Sequence, residues 1–168
     1  MTDEHILRLA LFLGANSAAW TLANRGRLRD VLVGWGEAVI EPVVNAMSSL
    51  PRTDIQDECE LVLCSLPLEA APSLRRLLEL GQPAIARGAK ATVLRAVARL
   101  DERGSLEAVC AALDDPEAEV RDAAASILGE MGSASNRALL ERRLAGETDK
   151  VVRATIVYAL ESLQGLHP

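Results

Sequence analysis

Asp114-Asp115-Pro116-Glu117-Ala118-Glu119-Val120-Arg121 leads into an apolar-striped segment, Asp122 to Met131. Thirty-two residues on, Gly146-Glu147-Thr148-Asp149-Lys150-Val151-Val152-Arg153 leads into Ala154 to Leu163. Val152 falls on Val120, Arg153 on Arg121, Leu160 on Leu128 and Leu163 on Met131. Self-similarity at a fixed step of this size marks an array of supersecondary units, each too small to bury its apolar face alone. The reading of these two segments therefore decides the fold.

A step back of 31 residues from Val120-Arg121 reaches Ala89-Lys90, with Val97 and Leu100 beneath Leu128 and Met131. The helix ahead of each unit recurs too, with Leu77, Val109 and Leu140 in comparable places, and a weaker copy runs from Gly36 to Leu66. Each unit reads as two helices. The first carries apolar residues at helical spacing: Val39, Val43 and Met47; Leu74, Leu77 and Leu78; Leu106, Val109 and Leu113; Leu139, Leu140 and Leu144. The second carries Ile55, Cys59, Val62 and Leu66 in one unit, then Val120, Ala124, Ile127, Leu128 and Met131, then Val152, Ile156, Ala159, Leu160 and Leu163. Asp115-Pro116 predicts a helix start, with Asp as N-cap and Pro at the first helical position, and Asp149 caps the next one. Gly81, Gly104, Gly129 and Gly132 are expected near helix ends or tight turns. No alternating β-rich run appears.

Asp115-Pro116 with Val120-Arg121, then Leu128-Gly129-Glu130-Met131-Gly132, and Asp149 with Val152-Arg153 resemble the HEAT-repeat family, especially the short bacterial HEAT-like repeats of the phycobilisome-lyase type. Gly36-Glu37-Ala38-Val39-Ile40-Glu41-Pro42-Val43-Val44 is similar to the family's first-helix consensus. The second unit departs from the pattern, with Lys90 in place of Arg and no Asp at its break. The resemblance implies an all-α fold, an α-solenoid of about four helical hairpins behind an N-terminal helical cap. The units fall at about 36–67, 68–104, 105–132 and 133–164, one continuous domain with the cap at 1–35. It also implies that Asp115, Arg121, Asp149 and Arg153 are structural and tie neighbouring units. Helices at about 3–13, 16–24 and 27–34, broken by Gly14 and Gly26, are expected in the cap, with Trp20 and Trp35 as its packing residues.

Composition agrees with a folded helical array. Apolar residues make up 49% of the 168, charged residues 25%, and the aromatics are Phe12, Trp20, Trp35 and Tyr158 alone. The core must be aliphatic. No apolar run approaches the roughly 20 residues a bilayer span needs, and the acidic start Thr2-Asp3-Glu4 is the wrong charge for a secretory signal, so a cytoplasmic protein is expected. Cys59, Cys64 and Cys110 have no paired spacing and read as reduced core thiols. With His5 and His167 as the only histidines, one at each end of the chain, most His-based catalysis and every multi-His metal site are excluded.

Net charge is −6, which opposes general nucleic-acid binding. The charge is banded: residues 51–70 carry one base against five acids, 71–104 seven bases against three acids, and 105–132 one base against seven acids. There is no P-loop, dinucleotide glycine fingerprint, nucleophile elbow or paired-cysteine zinc motif. Asp114-Asp115 and Asp57-Glu58 read as helix-start acids. No catalytic residue, cofactor or metal ligand is assigned.

A binding surface remains. In such an array the second helices line the concave face, and their exposed positions form rows: Arg95, Ser126 and Tyr158, then Arg99, Glu130 and Ser162, with Asp122 extending the acidic side. These residues are the candidate partner contacts of a non-catalytic scaffold or adaptor that docks another protein. A chromophore-lyase-like enzyme or enzyme subunit is the first alternative. A nucleic-acid binder using the basic helix Arg87, Lys90, Arg95, Arg99 and Arg103 is the second. Little polar capping follows Leu163, so the expected state is a monomer or a weak homo-oligomer.

Overall fold

The computed structural model describes residues 22–49, 53–79 and 89–164. The expected helix 3–13, Gly14, Trp20, Gly81, Arg87 and the side chain of Ile55 lie outside the described residues. Helix α1 (Leu22–Val33) precedes four helix pairs: α2 (Ile40–Ser49) with α3 (Thr53–Cys64), α4 (Ala71–Glu79) with α5 (Ala89–Leu100), α6 (Glu102–Ala112) with α7 (Ala118–Glu130), and α8 (Ala134–Gly146) with α9 (Lys150–Gln164). Short 3-10 turns at Gly36–Val39 and Leu68–Ala70 lead into α2 and α4. The described residues contain no strand.

The second helices α3, α5, α7 and α9 pack one on the next and form the inner layer, while α4, α6 and α8 lean chiefly on the second helices beside them. The buried stripes explain this. Val39, Val43, Met47, Cys59, Val62 and Leu66 are buried, as are Val120, Ala124, Ile127 and Leu128, and Val152, Ile156, Ala159 and Leu163. Helix α5 is the shared wall: Ala89, Val93, Ala96 and Val97 face the cluster of the first units, and Ala91, Leu94 and Ala98 face that of the later ones. Clad in Ala, Val and Leu on two sides, α5 is buried against both clusters and favours close neighbours, while Arg95 and Arg99 stay on its open edge. Trp35 packs against the first cluster.

Two glycines do specific work. Gly132 has φ +67° and turns the chain out of α7, where the left-handed conformation costs a glycine little. Gly129 lets α7 meet α9 closely, because a Cβ there would lie 2.7 Å from the Cβ of Ala159. Three expectations are corrected. Gly26 does not break the cap helix: α1 runs unbroken through it from Leu22 to Val33, since one glycine costs a helix about 1 kcal/mol and does not force a stop. Leu106 is exposed rather than part of an apolar stripe, because α6 begins at Glu102 and turns Val109 and Ala112 to the core instead. Asp115 is not the N-cap of α7, nor Pro116 its first residue, for reasons set by the side chains around that break.

Candidate functional site: the second-helix face and the ties behind it

The breaks between paired helices hold the charged side chains of the repeat motif. Arg121, near the start of α7, donates from Nη1 to the carbonyls of Asp115 (2.9 Å) and Pro116 (3.0 Å). This holds the break as a turn and delays the helix to Ala118. One carboxylate oxygen of Asp115 accepts from the backbone N–H of Glu117 at 2.9 Å, and the other accepts from Lys90 of α5. Arg121 reaches forward as well, with Nε to Glu147 Oε2 at 2.8 Å and Nη2 to Oε1 at 3.0 Å. Arg143 adds a bond to Oε2 at 2.7 Å, and the N–H groups of Thr148 and Asp149 donate to Oε1 at 2.9 Å. The Glu147 side chain is fully buried. The Arg121 hydrogen bonds hold its carboxyl well below the usual carboxylate range and push the Arg121 guanidinium up.

Arg153 repeats the local half of this pattern, donating from Nη1 to the carbonyls of Leu144 and Glu147 at 2.9 Å each. Asp149 caps α9, accepting from the N–H groups of Val151 (2.8 Å) and Val152 (3.2 Å). Asp101 caps α6 through the N–H of Gly104 at 2.9 Å and lies 3.5 Å from Arg75. Of the four motif residues, Asp115 and Arg121 therefore reach a neighbouring unit, whereas Asp149 and Arg153 bond only within their own unit, so the expected tie between units is not seen at those two. Sequence reasoning missed Glu147, whose only signal is that it stands 32 residues after Asp115. It also missed Asn136, buried and donating to the Leu128 carbonyl at 2.9 Å.

The face of the second helices carries two open clefts. One, of about 470 Å³, lies across α3, α5 and α7 and is lined by Glu60, Cys64, Arg95, Arg99, Ser126 and Glu130 among others. The second, of about 570 Å³, lies toward the helix starts and carries Asp57, Glu60, Glu119, Asp122 and Asp149, with Arg95 the only base among the described residues that line it. Arg95 and Glu60 line both and pair at 3.7 Å, forming the ridge between them. Ser126 bonds Glu130 at 3.1 Å, and Thr155 donates to Asp122 at 2.6 Å across α7 and α9. Burial, then the nearby Glu60 charge, pushes the Cys64 thiol up to about 11. A thiol held protonated there is a poor nucleophile.

The expected rows are thus partly gathered. Arg95, Arg99, Asp122, Ser126 and Glu130 line the clefts. Tyr158 and Ser162 line neither; Tyr158 is 72% exposed beyond them, and Ser162 turns its hydroxyl back to the Tyr158 carbonyl at 3.0 Å. The arginines of α5 do not form a free basic face, because the acids of α3 and α7 lie alongside. Among the described residues no three His, Cys, Asp or Glu side chains converge as metal ligands. None of the described helices is long and apolar enough to cross a membrane.

Stacked helical hairpins with a continuous inner layer of second helices, and charged ties at the two described breaks between paired helices, define an α-solenoid repeat protein. Residues 87–161, a span that includes α5 to α8 and most of α9, match the family model of HEAT repeats, which supports a HEAT-repeat array over that part of the chain. No curated protein matches the chain.

Proposed function

We propose that the protein is a non-catalytic interaction module whose second-helix face docks a partner protein through a basic segment. The observation that carries this reading is the imbalance of the larger cleft, where, among the described residues, five carboxylates surround one guanidinium. A cleft lined by one sign of charge raises the local concentration of an oppositely charged partner and sets its register. The same imbalance repels phosphate backbones, so it counts against the nucleic-acid reading. HEAT repeats as a class mediate protein–protein contacts, which supports the module over an enzyme.

The test is a pull-down from the native cell lysate at moderate salt with three proteins: wild type, Asp57→Lys/Glu119→Lys, and Arg95→Glu/Arg99→Glu. Asp57 and Glu119 are exposed, so the first variant should keep its helix content. The expected result is one protein retained by wild type and by the arginine variant and lost by the acid variant. Capture abolished by the arginine reversal alone overturns the basic-partner reading. A captured nucleic acid or chromophore overturns the module reading itself.

A further inference from the structure

Helix α9 has a face with no neighbour among the described residues, and the repeat register identifies what that face is. In α5 the positions that receive the next second helix are Ala91, Leu94 and Ala98, all buried. One unit on they are Asp122, Ala125 and Gly129, which receive α9 through Thr155 and Ala159. A further unit on, the register gives Ala154, Val157 and Glu161, and a turn earlier on the same stripe stands Lys150. Leu94 is 1% exposed and Ala125 0%, whereas Val157 is 42% exposed, and Lys150, Ala154 and Glu161 are exposed beside it.

The order along this stripe is Lys, Ala, Val, Glu at spacings of four, three and four residues. Reversed about the level of the Thr155–Ile156 peptide, Lys150 exchanges with Glu161 and Ala154 with Val157. An antiparallel copy therefore sets cation against carboxylate at both ends and methyl against isopropyl in the middle. A parallel copy would set Lys against Lys and Glu against Glu. Both end charges also stand at the wrong ends of their own helix. Lys150 opens α9, where the dipole disfavours a cation, and Glu161 lies in its last turn, where it disfavours an anion. Neither has an ion-pair partner among the described residues. An antiparallel neighbour brings each charge to the opposite dipole end of the facing helix.

We propose that two copies of this chain pair through α9, antiparallel about a two-fold axis, in an isologous interface centred on Ala154 and Val157. One helix face per protomer lies at the small end of specific interfaces, so the dimer is weak and concentration-dependent. The face is separate from the clefts, and the proposal stands independently of the partner reading.

Sedimentation equilibrium over about 1–500 µM tests it, a range that brackets micromolar to sub-millimolar dissociation constants. Wild type is expected to rise with concentration toward twice the monomer mass. Lys150→Glu and Glu161→Lys alone are each expected to weaken association about tenfold or more, the scale of about 1.4 kcal/mol. Lys150→Glu/Glu161→Lys together restores it, which a folding defect would not do. Val157→Asp, a substitution at an exposed site, abolishes it with the circular dichroism unchanged. Wild type that stays monomeric throughout overturns the proposal. So does association that survives both single reversals, or a double swap that fails to restore it.

Discussion

The last two junctions of the array use the same positions with different chemistry. Between the second and third units, Lys90 of α5 meets Asp115 in the following break, and the lysine side chain is 30% exposed. Between the third and fourth, Arg121 of α7 meets Glu147 with both oxygens engaged and the carboxylate sealed from solvent. An ammonium is a point charge that water competes for, whereas the guanidinium fork fixes both oxygens of a carboxylate at once. The comparison teaches that a repeat motif conserves a position and a sign, while burial decides how much energy the position holds.

Three predictions bear on that difference. Glu147→Ala strands Arg121 and Arg143 at a buried site and should cost about 3–5 kcal/mol. A urea titration reads this as a drop in the midpoint, accompanied by loss of α8 and α9. A cost below about 1 kcal/mol would mean the junctions hold equally little. Acid comes next. The Glu147 carboxyl lies below its ordinary range in the folded state, so it stabilises the protein above the unfolded carboxylate pKa and that contribution is lost as the pH falls below it. Stability should fall by on the order of 1–2 kcal/mol between pH 5 and 3 through this group, and Glu147→Gln should flatten the profile over that window. An unchanged slope in the glutamine variant would remove Glu147 from the account. The smallest effect belongs to Lys90→Ala, about 1 kcal/mol or less, and it should shrink further in high salt, as befits a partly exposed pair. A loss as large as that of Glu147→Ala would erase the contrast.

Much of this architecture was legible because helical periodicity and the 32-residue step reinforce one another. Val120 and Val152, or Ile127 and Ala159, are core residues in sequence pattern and in the folded chain alike. The resemblance pointed to Arg121 and Arg153 as structural residues, and Arg121 does tie its unit to the next, whereas Arg153 holds only its own break. Glu147 could not be recognised, since an acid in a polar break looks the same whether water or two arginines surround it. The start of α7 differs for a related reason: Asp115-Pro116 is a sound local start signal and Asp115 accepts from the Glu117 N–H, but Arg121 takes the Asp115 and Pro116 carbonyls, so helical bonding begins at the Glu117 carbonyl. The clefts were half legible. The rows of α5 and α7 followed from the register, yet the acids of α3 join them only through packing between units whose sequence similarity is weak. Tyr158 stood out by residue type alone, and type does not say that its neighbours end short of the clefts.

The ties also have a direction. At these two junctions the acid of the break, Asp115 and then Glu147, meets a cation from the unit before it, Lys90 and then Arg121, with Arg143 joining Glu147 from its own unit. A ribosome delivers the chain in the same order, and domains fold from the N-terminal side as they emerge. The cation of each junction is therefore in place before its acid leaves the exit tunnel, and no carboxylate waits in a closing core for a partner not yet synthesised.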